Sequence, residues 1–169
     1  VEVPADGQYE PWFVLHTPGW VCLDLVGYFL TVDRDVPLRF RFPAVYALPP
    51  GWFLLVWADG EPHQNGTGTD LHVDFVLTEG KKIGVFSPTG SQVDAVRLRA
   101  QDVDSSFGSV PDGTFRILHT NRPTPRHSNS QVRATAIAPG SPVGTWELSF
   151  SGIPDIVHRV EANTNLAAA

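Results

Sequence analysis

The chain has 169 residues, a mass of 18.5 kDa and a formal charge of −6, long enough to bury a real core without cross-links. Its acidic field repels nucleic acid and anionic membrane, and a lone cysteine, Cys22, excludes an intrachain disulfide. With 42% hydrophobic and 18% charged residues the composition excludes disorder of the whole, and no run approaches the roughly 18 apolar residues of a membrane span.

Fifteen glycines and fifteen prolines interrupt the chain at short intervals, and no window carries the 3.6-residue apolar period of a helix. Strands are expected at 12–16, 20–25, 28–32, 38–42 and 52–57, then at 73–77, 82–86, 92–99 and 114–118. Many short strands parted by turns predict an all-β fold, a sandwich or a barrel.

Alternation assigns faces, because successive side chains of a strand point to opposite sides. Phe13 and Leu15 are expected inward, with Val14 and His16 outward. Leu38, Phe40 and Phe42 share one face, which leaves Arg39 and Arg41 as an outward pair able to meet an acidic partner. The 92–99 run is apolar on both faces. Cys22, in the run Trp20-Val21-Cys22-Leu23, is expected to be a buried small hydrophobe. Trp52 and Trp57 lie in a wholly apolar segment and are expected to be buried, whereas Trp20, following Pro18-Gly19, is expected at a loop end and exposed.

Turn chemistry supports antiparallel pairing. Ser87-Pro88-Thr89-Gly90 has the pattern of a hairpin turn with a bulge, and Glu79-Gly80-Lys81 and Pro111-Asp112-Gly113-Thr114 are further turns. From residue 122 the sequence Arg122-Pro123-Thr124-Pro125-Arg126-His127-Ser128-Asn129 is expected to be an extended, strand-free exit. The division is therefore a first domain over 1–129 and a linker with a two-strand remnant of a following β module over 130–166. Strands of that remnant are expected at 145–150 and 157–161, joined through 152–155. Residues 167–169 are expected to be an expression scar, and the start on Val1 in a chain without methionine suggests a processed or excised piece.

Catalytic and metal motifs are sparse. Six histidines show no zinc spacing. His63, Asp70, His72 and Asp74 are close in sequence, and alternation would place the last three on one side. Asp33-Arg34-Asp35 and Asp102-Val103-Asp104 do not continue into a calcium loop and are expected to be turn carboxylates. There is no nucleophile elbow, and Gly66-Thr67-Gly68-Thr69 lacks the lysine and helix of a phosphate loop. No enzyme, metal or cofactor is therefore expected.

Several segments resemble the lamin tail domain family. Trp12-Phe13-Val14-Leu15-His16-Thr17 is similar to its first core strand, Leu23-Asp24-Leu25-Val26-Gly27-Tyr28-Phe29-Leu30 to its D-L-S-G-W-x-L segment, and Leu48-Pro49-Pro50-Gly51-Trp52 with the following strand to its L-P-P-G element. Phe75-Val76-Leu77, then Ile83 to Gly90 and Val93-Asp94, continue in family order, followed by Gly108, Pro111-Asp112-Gly113 and Pro123-Thr124-Pro125 with Asn129. The resemblance spans residues 8 to 129. Val14 stands where the family has an acidic residue, Ser109 where it has arginine and Arg126 where it has glycine. Residues 157–166 resemble a pattern near the C-terminus of large secreted bacterial proteins, and 157–161 are expected to supply the sheet edge that Val1-Glu2-Val3 only partly provides.

The resemblance implies an immunoglobulin-like antiparallel β-sandwich with a short C-terminal β extension. It also implies a non-catalytic tether, spacer or docking domain of a larger bacterial extracellular or cell-surface protein. Expected partners are other domains of the parent protein, a surface protein or a polysaccharide, and exposed sheet edges offer a route to a homodimer. The alternative is a carbohydrate-binding module that uses exposed aromatics and the 59–70 loop. Trp20, Arg39 and Arg41 are the candidate binding residues.

Overall fold

The computed structural model describes residues 7–43, 46–66, 70–129, 133–139 and 146–151. The chain divides into two compact units, Val1–Ser128 and Asn129–Ala169. It is all-β, and its helical content among the described residues is one 3-10 turn at Pro62–Gln64.

The first unit contains β1 (Trp12–His16), β2 (Leu23–Asp24), β3 (Phe29–Thr31), β4 (Phe40–Arg41), β5 (Ala47–Leu48) and β6 (Phe53–Trp57). It continues with β7 (Leu71–His72), β8 (Lys82–Phe86), β9 (Gln92–Arg97), β10 (Ser106–Ser109) and β11 (Ile117–Thr120). An antiparallel sheet runs β4-β3-β8-β9 and a second sheet β1-β6-β7, while β2-β5 and β10-β11 are two-stranded. Within the second sheet β1 is antiparallel to β6, and β7 is parallel to it through Val56↔Leu71 and Trp57↔His72.

The two larger sheets share one core, as the layers of a sandwich do. Leu30, Phe40 and Ile83 come from one sheet and Leu54, Val56 and Leu71 from the other, joined by Leu25, Phe42, Val73 and Phe75. Each such side chain contributes about 1.5–3 kcal/mol when fully buried. Phe13 and Leu15 pack against this core, as alternation predicts. β6 is buried on both faces, since Leu55 and Trp57 on its opposite side are only 1% and 0% exposed.

Turn signals translate directly. Gly90 takes φ +81° and its N–H bonds Ser87 O at 2.9 Å in the β8–β9 hairpin, with the register shift falling at Val85/Phe86. The Pro111 turn, closed by Thr114 N–H to Pro111 O at 3.2 Å, joins β10 to β11, so β11 begins three residues later than the strand expected at 114.

Other expectations are corrected. The 20–25 run is a strand only at Leu23–Asp24, which pairs with β5; Cys22 is exposed rather than buried because residues 20–24 all face solvent and only Leu25 of the run reaches the core. Trp52 is exposed because it closes a turn ahead of β6 rather than lying within the strand. Residues 73–77 form no strand beyond a bridge between Val76 and Asp59. Leu38 is exposed while Phe40 and Phe42 are buried, since the chain enters β4 only at Phe40. β9 is apolar on both faces as read, yet it is the sheet edge, and both Val93 and Val96 face solvent.

The 122–129 segment has no strand, but it is no exit: the Arg126 guanidinium bonds Asp70 and the Ser128 hydroxyl bonds Asp112, which hold it to the first unit. In the second unit β12 (Arg133–Pro139) pairs antiparallel with β13 (Trp146–Ser151), so part of the expected linker is a strand. The strand expected at 157–161, its turn at 152–155, Val1 to Val3 and residues 167–169 lie outside the described residues.

Candidate functional site

Three loops meet at one end of the first unit, and backbone bonds fix two of them to each other. Thr17 is the pivot: its hydroxyl donates to Pro49 O at 2.6 Å, its N–H donates to Trp52 O at 3.2 Å, and its carbonyl accepts from Gly51 N–H at 2.8 Å. Residues 49–52 form the turn that Pro-Pro-Gly dictates, with φ preset at Pro50 and a left-handed φ of +69° at Gly51. The third loop is the Pro111 turn. A Cβ on Gly113, which has φ +73°, would stand 2.8 Å from Pro18 Cβ, so only glycine permits this approach.

Between these loops lies an open groove of about 340 Å³ lined by His16, Pro18, Trp20, Pro50, Gly51 and Asp112. Trp20 projects into solvent, 96% exposed, although an indole is among the costliest side chains to leave in water. His16 is fixed by two contacts: its ring stacks on Phe53 at 4.2 Å with planes 13° apart, and Nδ1 lies 3.1 Å from Trp52 O. A carbonyl only accepts, so Nδ1 carries the proton and Nε2 of the neutral ring is an acceptor. Asp112, which accepts from the Ser128 hydroxyl, adds an acceptor-only carboxylate.

The other two predicted binding residues stand elsewhere, and neither lines this groove. Arg39 is engaged: Nε lies 3.3 Å from Asp74 Oδ1, Nη2 donates to Asp74 O at 3.0 Å, and the guanidinium sits 5.4 Å over the Phe75 ring. Arg41 is exposed on β4. The outward alternation was readable, but the partner of Arg39 arrives from 35 residues away.

The acidic and histidine cluster around residue 70 separates into three pairings. His72 Nδ1 meets Asp59 Oδ2 at 2.5 Å, Asp70 accepts from Trp57 Nε1–H at 3.0 Å and from Arg126, and Asp74 holds Arg39. Asn65 grips the His72 backbone at both N–H (2.8 Å) and carbonyl (2.7 Å). Among the described residues no group of three or more His, Cys, Asp or Glu side chains is placed to hold a metal ion. The Tyr46 hydroxyl donates to Asp70 O at 3.2 Å; burial first, and the Asp70 carboxylate second, raise this phenol above the ordinary tyrosine range. A smaller depression of about 200 Å³ borders this network, between Trp52, Phe53, Leu55, Asp70 and Arg126.

Trp20 was visible in the sequence as a loop-end aromatic. Asp112 was visible only as a turn residue and His16 only as an outward strand residue, because nothing local joins positions 16, 20 and 112. Compared with protein-family models, curated proteins and solved structures, the chain matches none of them.

Proposed function

We propose that the chain is a non-catalytic interaction domain, a tether or docking module of a larger bacterial extracellular or surface protein, which engages its partner through the groove around Trp20. One observation carries this reading: an indole 96% exposed on a loop whose neighbours are locked by backbone bonds. Exposed rigid aromatics are the side chains from which binding surfaces draw most of their energy. The partner is a surface polymer or another domain of the parent protein, and the −6 charge argues against nucleic acid.

The same reading makes the fold an immunoglobulin-like sandwich of the lamin-tail type. Its support is the order of the turns together with Arg126, which takes φ +61°, a conformation natural to glycine, where that family carries glycine. The edge strands β9 and β4 offer a route to a homodimer.

The test is retention of the labelled chain on intact cells and on the cell-surface fraction of the source organism. Wild type is expected to bind, and Trp20→Ala to lose at least ten-fold in retention while keeping its circular dichroism spectrum. Equal retention of both overturns the reading.

A further inference from the structure

The groove around Trp20 has a chemistry narrower than a general docking surface. Its apolar lining is the Trp20 indole with the rings of Pro18 and Pro50, and its polar side chains are the Asp112 carboxylate and the His16 imidazole. Both are acceptors: the carboxylate has no proton to give, and His16 spends its Nδ1 proton on Trp52 O at 3.1 Å. Among the described residues no lysine or arginine lines the groove. The groove is also open to solvent, so a greasy ligand would leave much of its surface in water, whereas a ligand with one apolar face and a rim of hydroxyl donors would satisfy every wall.

We propose that the groove binds a neutral saccharide ring, stacked by its C–H face on Trp20 with hydroxyls donated to Asp112 and to His16 Nε2. The inference rests on the docking reading above and names its ligand class. Charge sets the specificity: a uronic acid or a sulfated sugar would bring an anion against the Asp112 carboxylate, and is rejected. Asp112 is the specificity-determining residue, and Ser128 is a positioning residue that orients its carboxylate through the hydroxyl it donates.

The experiment uses the full chain in isothermal titration calorimetry against a soluble β-glucan, a xylan, a galactomannan and polygalacturonate. Binding of at least one neutral polysaccharide is expected, with none to polygalacturonate. Trp20→Ala should weaken the bound case at least ten-fold and Asp112→Asn several-fold; Asp112→Asn should not create binding by neutral ligands that wild type ignores. In parallel, the cell-surface fraction is treated with periodate, which cleaves vicinal diols, or with protease. Trp20-dependent retention that periodate abolishes and protease spares supports the saccharide. Trp20-dependent retention that survives periodate and is lost to protease overturns the saccharide while leaving the docking reading standing. Retention indifferent to Trp20→Ala, or absent altogether, overturns both.

Discussion

The His72 imidazole and the Asp59 carboxylate meet at 2.5 Å, with the Asp59 side chain wholly enclosed and that of His72 8% exposed. The contact joins the end of β6 to β7 and closes the excursion between them, because Asp59 Oδ1 also accepts the Glu61 N–H at 2.9 Å. Removing one member strands the other in a dry site, which costs about 3–5 kcal/mol for a charged pair and about 1.5–3 kcal/mol for a charge-assisted hydrogen bond. Asp59→Ala is therefore expected to lose about 2–4 kcal/mol of unfolding free energy. Urea unfolding of the two single variants and the double variant should return a coupling of at least about 1 kcal/mol; additive losses would mean that the pair is mere proximity.

Arg126 sets a backbone cost against a side-chain gain. Its φ of +61° disfavours any residue with a Cβ, by about 1–2 kcal/mol, while its bidentate pairing with Asp70 is 38% exposed on the arginine side and screening holds such pairs to about 1 kcal/mol or less. Arg126→Gly loses the pairing but relieves the backbone, so its melting temperature should stay close to wild type. Arg126→Ala loses the pairing and keeps the strain, and should melt several degrees lower. Equal melting of the two variants would remove the strain argument.

Tyr46 gives the alkaline limb of stability a definite sign. Its folded pKa is raised, by burial and by the Asp70 carboxylate, so the folded state holds the phenol proton to higher pH than the unfolded state does. The stability tied to that proton is fully present below the unfolded value of about 10 and is lost as pH rises through the folded value. Urea midpoints should fall as pH rises above about 10, and Tyr46→Phe should flatten that fall while losing the hydroxyl's bond to Asp70 O, 3.2 Å long. An equally steep fall in the variant would assign the effect to other groups.

Cys22 is exposed, and a thiol-specific reagent should label it in the native protein within the time needed for a short unfolded peptide. Protection that is lifted only by denaturant would place the 20–23 run inside the protein after all.

Local chemistry explains what was legible. β8 was read with its ends at Lys82 and Phe86 because Gly80 and the Ser87 to Gly90 turn bound an alternating run on both sides, and turns are written in adjacent residues. β10, Ser106-Phe107-Gly108-Ser109, was invisible because it has one large apolar side chain and takes its conformation from β11. Cys22 and Trp52 were misplaced for a related reason: an apolar run carries no record of whether a second layer covers it. The Asp59–His72 and Asp70–Arg126 pairings join positions 13 and 56 residues apart. They depend on the parallel β6–β7 register and on the return of the 122–129 segment, neither of which leaves a local signature. The groove was half legible in the same sense, with Trp20 readable as exposed and its neighbours supplied only by the meeting of three loops.

That meeting depends on Gly113 and Pro18, and it yields the last prediction. Gly113→Ala adds a methyl group 2.8 Å from Pro18 Cβ at a residue with φ +73°, so the strain of the left-handed conformation and the overlap act together, at about 1–3 kcal/mol. The cheapest relief is for the β10–β11 turn to swing away from Pro18, which carries Asp112 away from Trp20 while the sheet core, built from other elements, stays intact. The variant should therefore fold with a lowered melting temperature and an unchanged Trp57 environment, and it should lose whatever ligand Trp20→Ala loses. If Gly113→Ala binds like wild type, Asp112 takes no part in the groove, and the Trp20 loop acts alone.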